Sequence, residues 1–223
     1  MVENIFSHFS FPLNIKKYLC HHIMNKQEQI IQGALSLFMR MGVKGINMDY
    51  VATHLGISKK TLYQHVDNKA DLVEQSFASH QCKVKSMIEC ICAKHENAID
   101  ELFEIDSGIC RMLKDRNPYL IQNLKTYYPK VWTLLDDLKK KYLFKTVKNN
   151  LDTGIKQGLY RKEINTDIIT KLMMTRIDTL VHNDIFPLTE YNFKELLKEN
   201  RIYHIRGIAS KKGINYLEKK LKK

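Results

Sequence analysis

NMDYVATHLGISKKTLYQHV, residues 47–66, is the segment that decides how this chain folds. Asn47 is a favoured residue in front of a helix, Gly56 permits a tight turn, and Ser58 is suited to begin a second helix. Apolar residues recur at helical spacing on both sides of the turn. They are Met48, Val51, Leu55, Leu62 and Val66. The segment therefore predicts two short helices joined by a glycine turn.

This pair of helices has the form of a helix-turn-helix. Ala52 is small where the second helix approaches the first, and Ile57 fills the space between them. The outward residues of the second helix are Lys59, Lys60, Thr61, Tyr63, Gln64 and His65. Lysines and hydroxyls suit phosphates, and Gln64 can pair with an adenine edge in the major groove. A plain helical hairpin shows the same pattern, so the motif alone leaves both interpretations open.

The flanking residues extend the helical pattern. Asn25 and Glu28 have the spacing of a capping box, and Gly42 and Gly45 end the apolar repeat that follows it. Asn68 and Asp71 form a second possible box, after which a long amphipathic stripe begins. Three helices and the start of a fourth are predicted for residues 25–72.

Residues 25–77, NKQEQIIQGALSLFMRMGVKGINMDYVATHLGISKKTLYQHVDNKADLVEQSF, resemble the DNA-binding domain of TetR-family transcriptional regulators. The matching features are the ALSLF segment, Gly42 and Gly45, MDYVATHLGIS, Thr61-Leu62-Tyr63 and Lys69-x-x-Leu72. The resemblance implies a homodimeric repressor, in which a three-helix headpiece binds DNA and a variable helical body binds a small ligand and dimerises.

Several residues occupy positions that contact DNA in that family. The resemblance implies such contacts for Ser58, Lys59, Thr61, Tyr63 and His65, and a phosphate contact for Lys69. Three features depart from the family pattern. Asn47 replaces a usual Thr but still caps and donates to phosphate, Lys60 replaces a small residue, and His65-Val66 replaces an aromatic pair.

The remainder of the chain is also helical by pattern. Segments around 97–116, 118–127, 130–157, 166–185 and 190–206 carry helical periodicity, and no period-2 stretch is persuasive. The expected fold is all-α, with a helix-turn-helix domain at 24–72 and a ligand-binding and dimerisation body at 73–223. Residues 1–23 are interpreted as an N-terminal extension, and Met24 is a plausible alternative start.

The resemblance assigns dimerisation to segments 166–185 and 190–206. The apolar surface for it is expected from Ile169, Leu172, Met173, Leu180, Phe193, Leu196 and Leu197, although packing within one chain would use the same residues. A ligand cavity in the body would be apolar with few polar groups. Its candidate lining is Met87, Ile91, Phe103, Met112, Tyr127, Trp132 and Met173, with Arg176, Asp178 and His182 as polar contacts.

Composition and charge exclude some classes of protein. The net charge is +12, yet residues 25–72 hold six basic and four acidic groups, whereas the last thirteen hold six lysines and one glutamate. That lysine-rich end is interpreted as a solvated, frayed terminus. Five cysteines without a CxxC pair indicate free thiols in a reducing cytoplasm. Cys90 and Cys92 would point to different faces of a helix, so with His95 they predict no metal site.

No signal peptide, membrane span, cofactor motif or catalytic residue set is recognised. The sequence predicts a cytoplasmic, ligand-responsive transcriptional regulator, most simply a repressor, that binds a pseudo-palindromic operator as a dimer. A helical protein that sequesters a small molecule and no longer reads DNA is the main alternative, and an enzyme has least support.

Overall fold

The protein was analysed as a computed structural model that describes residues 25–94, 97–113, 115–182, 185–187 and 189–222. The side chain of His182 also lies outside this description. In the described residues the secondary structure is helical, with one isolated antiparallel bridge between Tyr160 and Ala209. The all-α prediction is therefore confirmed.

The helices of the described residues are joined by short connections. They are α1 (Lys26–Met41), α2 (Met48–His54), α3 (Lys59–Tyr63), α4 (Lys69–Lys94), α5 (Ala98–Leu113), α6 (Leu120–Tyr127), α7 (Pro129–Asp137), a π-helical segment (Leu138–Leu143), α8 (Phe144–Lys156), α9 (Thr166–His182), α10 (Phe193–Ile208) and α11 (Lys211–Leu221).

The caps read from the sequence set the ends of the first three helices. Asn25 and Glu28 form a reciprocal capping box, and Asn47 and Ser58 accept backbone N–H groups at the starts of α2 and α3. Gly42 and Gly56 have φ values of 79° and 63°, which only glycine adopts without strain. Local chemistry thus sets where these three helices begin, and the shared core packs them together.

Helix α4 connects this unit to the rest of the molecule. Its first half buries Leu72, Val73 and Phe77 against α1, whereas its second half buries Ile88 and Ile91 in the body. The headpiece core also includes Leu120, Leu124 and Val131 from α6 and α7. The headpiece and the body therefore share one helix and one core.

A second core holds the body together on the far side. Its buried residues are Ala98, Ile99, Leu102, Val147, Leu151, Leu159, Tyr160, Met173, Ile205, Ile208, Ala209 and Leu217. Close helix approach depends on two glycines here. A Cβ on Gly154 would lie 2.1 Å from the Tyr160 ring, and one on Gly213 would lie 2.0 Å from the Leu159 carbonyl oxygen.

The C-terminal segment departs from the sequence interpretation. The lysine-rich end is not a frayed terminus, because residues 211–221 form helix α11. Ser210 caps this helix by accepting the Gly213 N–H, and Leu217 is fully buried in the second core. The lysines conceal an amphipathic pattern in which one apolar face packs and the charged face stays in water. Gly207 and Gly213 lie inside α10 and α11.

The predicted helix at 130–157 also differs in detail. The chain is helical from Pro129 to Lys156, but six residues in the middle, Leu138–Leu143, take the wider π-helical turn. π-helical insertions are common beside functional sites. None of the described helices combines the length and the apolar character that crossing a bilayer requires.

Candidate nucleic-acid interface and body cavity

Helix α3 has a polar and basic outer surface, and its inner side packs against the headpiece core. Leu62 is completely buried, so it anchors the short helix against the headpiece core. The Ser58 hydroxyl accepts the Thr61 N–H at 2.9 Å and pairs with the Thr61 hydroxyl at 2.8 Å. The residues left exposed on this surface are Asn47, Ser58, Lys59, Lys60, Tyr63 and Gln64, with Thr61 and His65 half-buried beside them.

Lys59 has a partner that sequence reasoning missed. Its ammonium lies 2.9 Å from Asp49 Oδ1 and donates to Oδ2 at 3.1 Å. The hydrogen bond to Asp49, followed by its negative charge, raises the pKa of Lys59. Asp49 lies in the first turn of α2, where it also favours the helix N-terminus. Nothing in the spacing of the two residues revealed the pair, because the crossing of α2 and α3 brings them together.

Lys69 lies toward the interior of the headpiece. It is half-buried, its ammonium donates to the Lys44 carbonyl in a long bond of 3.5 Å, and burial lowers its pKa. The ammonium of Lys44 in turn lies 5.5 Å from the centre of the Tyr127 ring at the end of α6. These contacts connect the loop before α2 with both α4 and the body.

Asn47 and Tyr50 form the edge of the outer surface on α2. The Asn47 side-chain oxygen accepts the Tyr50 N–H at 2.8 Å, which caps the start of α2. Tyr50, which the sequence analysis did not select, is 45% exposed and stacks with His54 at a ring distance of 6.4 Å. An exposed aromatic on a helix of a helix-turn-helix was the signal that could have identified it.

The body contains an apolar cavity of about 190 Å³ between α4, α5, α7, the π-helical segment and α9. Of the predicted ligand residues it brings together Met112, Trp132 and Asp178. The other residues around it are Met39, Phe77, His80, Val84, Ile109, Leu113, Arg116, Leu120, Ile121, Leu135, Asp136, Leu138, Lys139, Leu143, Met174, Ile177 and Val181.

Most other predicted ligand residues do not line this cavity. Met87 and Ile91 pack in a separate small cluster with Ile88 and Ile105. Met173 is buried in the second core, and Tyr127 is half exposed at the end of α6.

Two more candidates have partners within the chain. The Phe103 ring lies 4.0 Å beneath the Arg201 guanidinium, and Arg176 is hydrogen-bonded to His204 at 2.8 Å. The side chain of His182 lies outside the described residues. Helical periodicity marked these residues as inward-facing but could not tell core from cavity.

The charged groups beside the cavity fall into two sets. Lys139 bridges Asp178 at 2.9 Å and Asp136 at 3.4 Å, and Lys140 pairs with Asp136 at 2.6 Å. Arg116 is 95% buried by contrast, with its guanidinium 5.6 Å from the Phe193 ring, and burial lowers its pKa to about 10. Asp178 of the first set was predicted from the sequence, whereas Arg116 was not, because it follows helix α5 and belongs to no periodic stripe.

The predicted dimer helices expose a different face from the one expected. Met173, Leu180, Phe193 and Leu197 are buried in the cores of the same chain, so their assignment to a dimer surface is wrong. The apolar side chains that remain on the surface of α9 and α10 are Ile168, Leu172 and Tyr203, exposed by 53%, 55% and 70%. Ile169 and Leu196 are half-buried beside them.

Residues 30–75 match the family model of bacterial regulatory proteins of the tetR family. The N-terminal domain of the chain is thus similar to the DNA-binding domain of tetR-family regulators. The matched range contains the helix-turn-helix and the first turns of α4, so the resemblance inferred from sequence motifs is confirmed. The outer surface of α3 described above lies within this matched range.

One curated relative is the biofilm operon icaADBC HTH-type negative transcriptional regulator IcaR of Staphylococcus aureus (strain Newman). It is 31% identical over 78 residues, which cover 35% of this chain and 42% of IcaR. The chain thus spans less than half the length of this curated relative.

Solved structures extend the likeness to the whole fold. A regulator from Saccharomonospora viridis in complex with choline aligns with a TM-score of 0.67 and 17% identity, over 83% of this chain and 98% of that one. FadR from Bacillus subtilis in complex with stearoyl-CoA aligns with a TM-score of 0.62 and 19% identity, over 82% and 100%. At these identities the likeness shows that the chain shares the fold of these regulators.

Proposed function

We propose that this protein is a DNA-binding transcriptional regulator that acts as a homodimer and responds to a small ligand. The observation that carries the proposal is the exposed polar and basic surface of α3, anchored by the buried Leu62 within a TetR-type domain. Such a helix enters the major groove, where Lys60, Tyr63 and Gln64 contact phosphates and base edges. The contacts of Asn47, Ser58, Lys59, Thr61, His65 and Lys69 belong to the same proposal.

Dimerisation through α9 and α10 is part of the proposal. Ile168, Leu172 and Tyr203 form an exposed apolar surface on these helices, and a two-fold mate would bury it in a four-helix bundle. Two headpieces would then bind half-sites of a pseudo-palindromic operator about one DNA turn apart. We assign residues 24–72 to the headpiece and 73–223 to the body, with α4 shared between them.

Ligand binding would take place in the body cavity and would alter the spacing of the headpieces. Trp132, Met112 and Asp178 are the predicted residues at that cavity. Two regulators of the same fold hold small molecules, and IcaR is a negative regulator, so repression relieved by a ligand is the simplest regulatory scheme. A cytoplasmic location and the absence of catalysis follow from this role.

The test is binding of the purified protein to the promoter next to its gene, compared with random DNA of equal length. We expect promoter binding at least about a thousandfold tighter than random binding. Lys60→Ala and Tyr63→Ala should each weaken promoter binding, whereas Lys156→Ala, an exposed lysine on α8, should not.

Equal affinity for promoter and random DNA would contradict the proposal. A cellular role that survives the Lys60→Ala and Tyr63→Ala substitutions would favour the alternative of a small-molecule sequestering protein.

A further inference from the structure

The apolar body cavity adjoins a second pocket of about 290 Å³ that has the opposite chemistry. The two share Met39, His80, Met112 and Arg116 in their walls. The remaining walls of the second pocket are Gln32, Leu35, Ser36, Arg40, Lys83, Arg111 and Asp115. The apolar cavity and the second pocket are thus adjacent, with four residues common to their walls.

The second pocket is strongly basic. Arg40, Lys83, Arg111 and Arg116 line it against one carboxylate, Asp115. Lys83 donates to the neutral amide oxygen of Gln32, so this bond does not cancel its charge. Burial lowers the pKa of His80, and the positive charge of Lys83 lowers it further. We call this pocket the basic pocket, and its charges favour an anion.

The carboxylates at the other end of the cavity do not make a cation site. Asp136 is paired with Lys139 and Lys140, and Asp178 is paired with Lys139. Their negative charge is therefore offset by lysines of the π-helical segment. A cationic ligand would have to displace these ion pairs, whereas an anion at the basic pocket would meet four cations.

We propose that the body cavity and the basic pocket together bind an amphipathic anion, with its apolar tail in the cavity and its carboxylate or phosphate head between Lys83, Arg111 and Arg116. This inference rests on the proposed function only in treating the site as the effector site of the regulator. The cavity volume of about 190 Å³ is modest, which favours medium-length tails.

The position of the head explains how it would act on the DNA-binding domain. Gln32, Ser36 and Arg40 belong to α1 of the headpiece, whereas Lys83 lies on α4 and Arg111 on α5. An anion held between them bridges the headpiece and the body. It stabilises one relative position of the two, and so it couples ligand binding to DNA affinity through differential binding to two states.

The test uses the single tryptophan as a reporter, because Trp132 lines the cavity. The full-length protein is titrated with butanoate, octanoate, dodecanoate, octyl phosphate and 1-octanol while Trp132 fluorescence is followed. We expect octanoate or octyl phosphate to bind at least about tenfold tighter than 1-octanol, since charged hydrogen bonds contribute this much. The tighter of the two anions identifies the head as carboxylate or phosphate.

A double variant and a matched control locate the head. Lys83→Gln/Arg111→Gln should weaken binding of the preferred anion at least about tenfold and leave 1-octanol binding unchanged. Lys156→Gln/Lys162→Gln removes the same charge from exposed positions on the far side and should leave both unchanged.

Two outcomes overturn the proposal: equal affinity for anions and 1-octanol, or anion binding by the Lys83/Arg111 variant as tight as by the control. Promoter binding is measured separately on the same preparations. Promoter binding without anion binding would reject the ligand class and leave the proposed regulator standing. Anion binding without promoter binding would reject the regulator and support the ligand class.

Discussion

The ion pair between Lys59 and Asp49 restrains a lysine of the proposed recognition helix. Both side chains are exposed, so the pair contributes little to the free energy of unfolding. Its importance lies in DNA binding, because a lysine held by a carboxylate gives up that partner before it neutralises a phosphate. The carboxylate also repels the DNA backbone.

Replacing Asp49 by Asn should strengthen DNA binding. Lys59 becomes available for one more phosphate contact, so we expect affinity to rise several-fold and the slope of log K against log salt to steepen by about 1. Fluorescence anisotropy over a range of salt concentrations measures both. Asp67→Asn removes the same charge from another exposed headpiece position, and an equal gain in that control would show that only net charge matters.

His204 is a buried neutral histidine in the body. Burial, and next the charge of Arg176, lowers its pKa to about 4. Arginine only donates, so the 2.8 Å contact with Arg176 makes Nδ1 the acceptor and places the ring proton on Nε2. In the unfolded chain the histidine takes up a proton near pH 6.5. Its contribution to stability is complete above that pH and is lost as the pH falls toward 4.

Substituting His204 by Asn should flatten the dependence of stability on pH. The amide oxygen can still accept from Arg176, but the titration is gone. When the pH falls from 7.5 to 5, the free energy of unfolding of the original protein, measured by urea denaturation, should decrease by about 2 kcal/mol more than that of the variant. Burial raises the pKa of the Asp106 carboxyl to about 6, against the opposing effect of Arg201. Its contribution to stability therefore changes with pH in the opposite direction to that of His204, and this contribution is present in both proteins. Parallel pH curves would contradict a neutral buried His204.

At the scale of helices, two glycines that both lie within helices have different roles. Gly154 in α8 faces the rigid, buried ring of Tyr160, whereas a Cβ on Gly207 in α10 would meet nothing within 4 Å. Tyr160 is held in turn by its bond to Asn150, which also contacts the Ala98 carbonyl. The close approach of α8 to the Tyr160 loop therefore depends on the absence of a side chain.

Alanine at these two glycines should change stability in opposite directions. Gly154→Ala should lower the free energy of unfolding by about 3 kcal/mol, because the added methyl displaces the Tyr160 ring. Gly207→Ala should raise it by about 0.5 to 1 kcal/mol, because alanine favours the helix. Urea denaturation distinguishes them, and a stabilised Gly154→Ala would mean that α8 and Tyr160 are further apart than described.

At the scale of the molecule, α9 and α10 bury one apolar face within the chain and leave another uncovered. Leu172 and Tyr203 are the largest side chains on the uncovered face. Periodicity predicted both helices and their apolar residues, but assigned several core residues to the dimer surface. Which of the two apolar faces packs within the chain depends on where α5 and α8 lie. Local sequence periodicity carries no information about those positions.

Acidic residues on the uncovered face should prevent dimerisation. Leu172→Glu/Tyr203→Glu places like charges opposite each other across the two-fold axis, so we expect a monomer by sedimentation and at least about a hundredfold weaker operator binding. Tyr119→Glu is the control, since Tyr119 is 71% exposed next to α6, away from this face. A double variant that remains dimeric would place the interface elsewhere.

Local sequence determined the helix-turn-helix, because caps at Asn25, Asn47 and Ser58 and the turn at Gly56 act over three or four residues. It also determined the all-α class and the outward residues of α3, since helical periodicity is a local property. Only the tertiary structure decided that Lys59 meets Asp49 and that the charged C-terminus packs through Leu217. The same holds for the basic pocket, in which Arg40, Lys83 and Arg111 come from three helices. These features arise where helices distant in sequence cross, and the free energy that selects the crossing comes from the whole core.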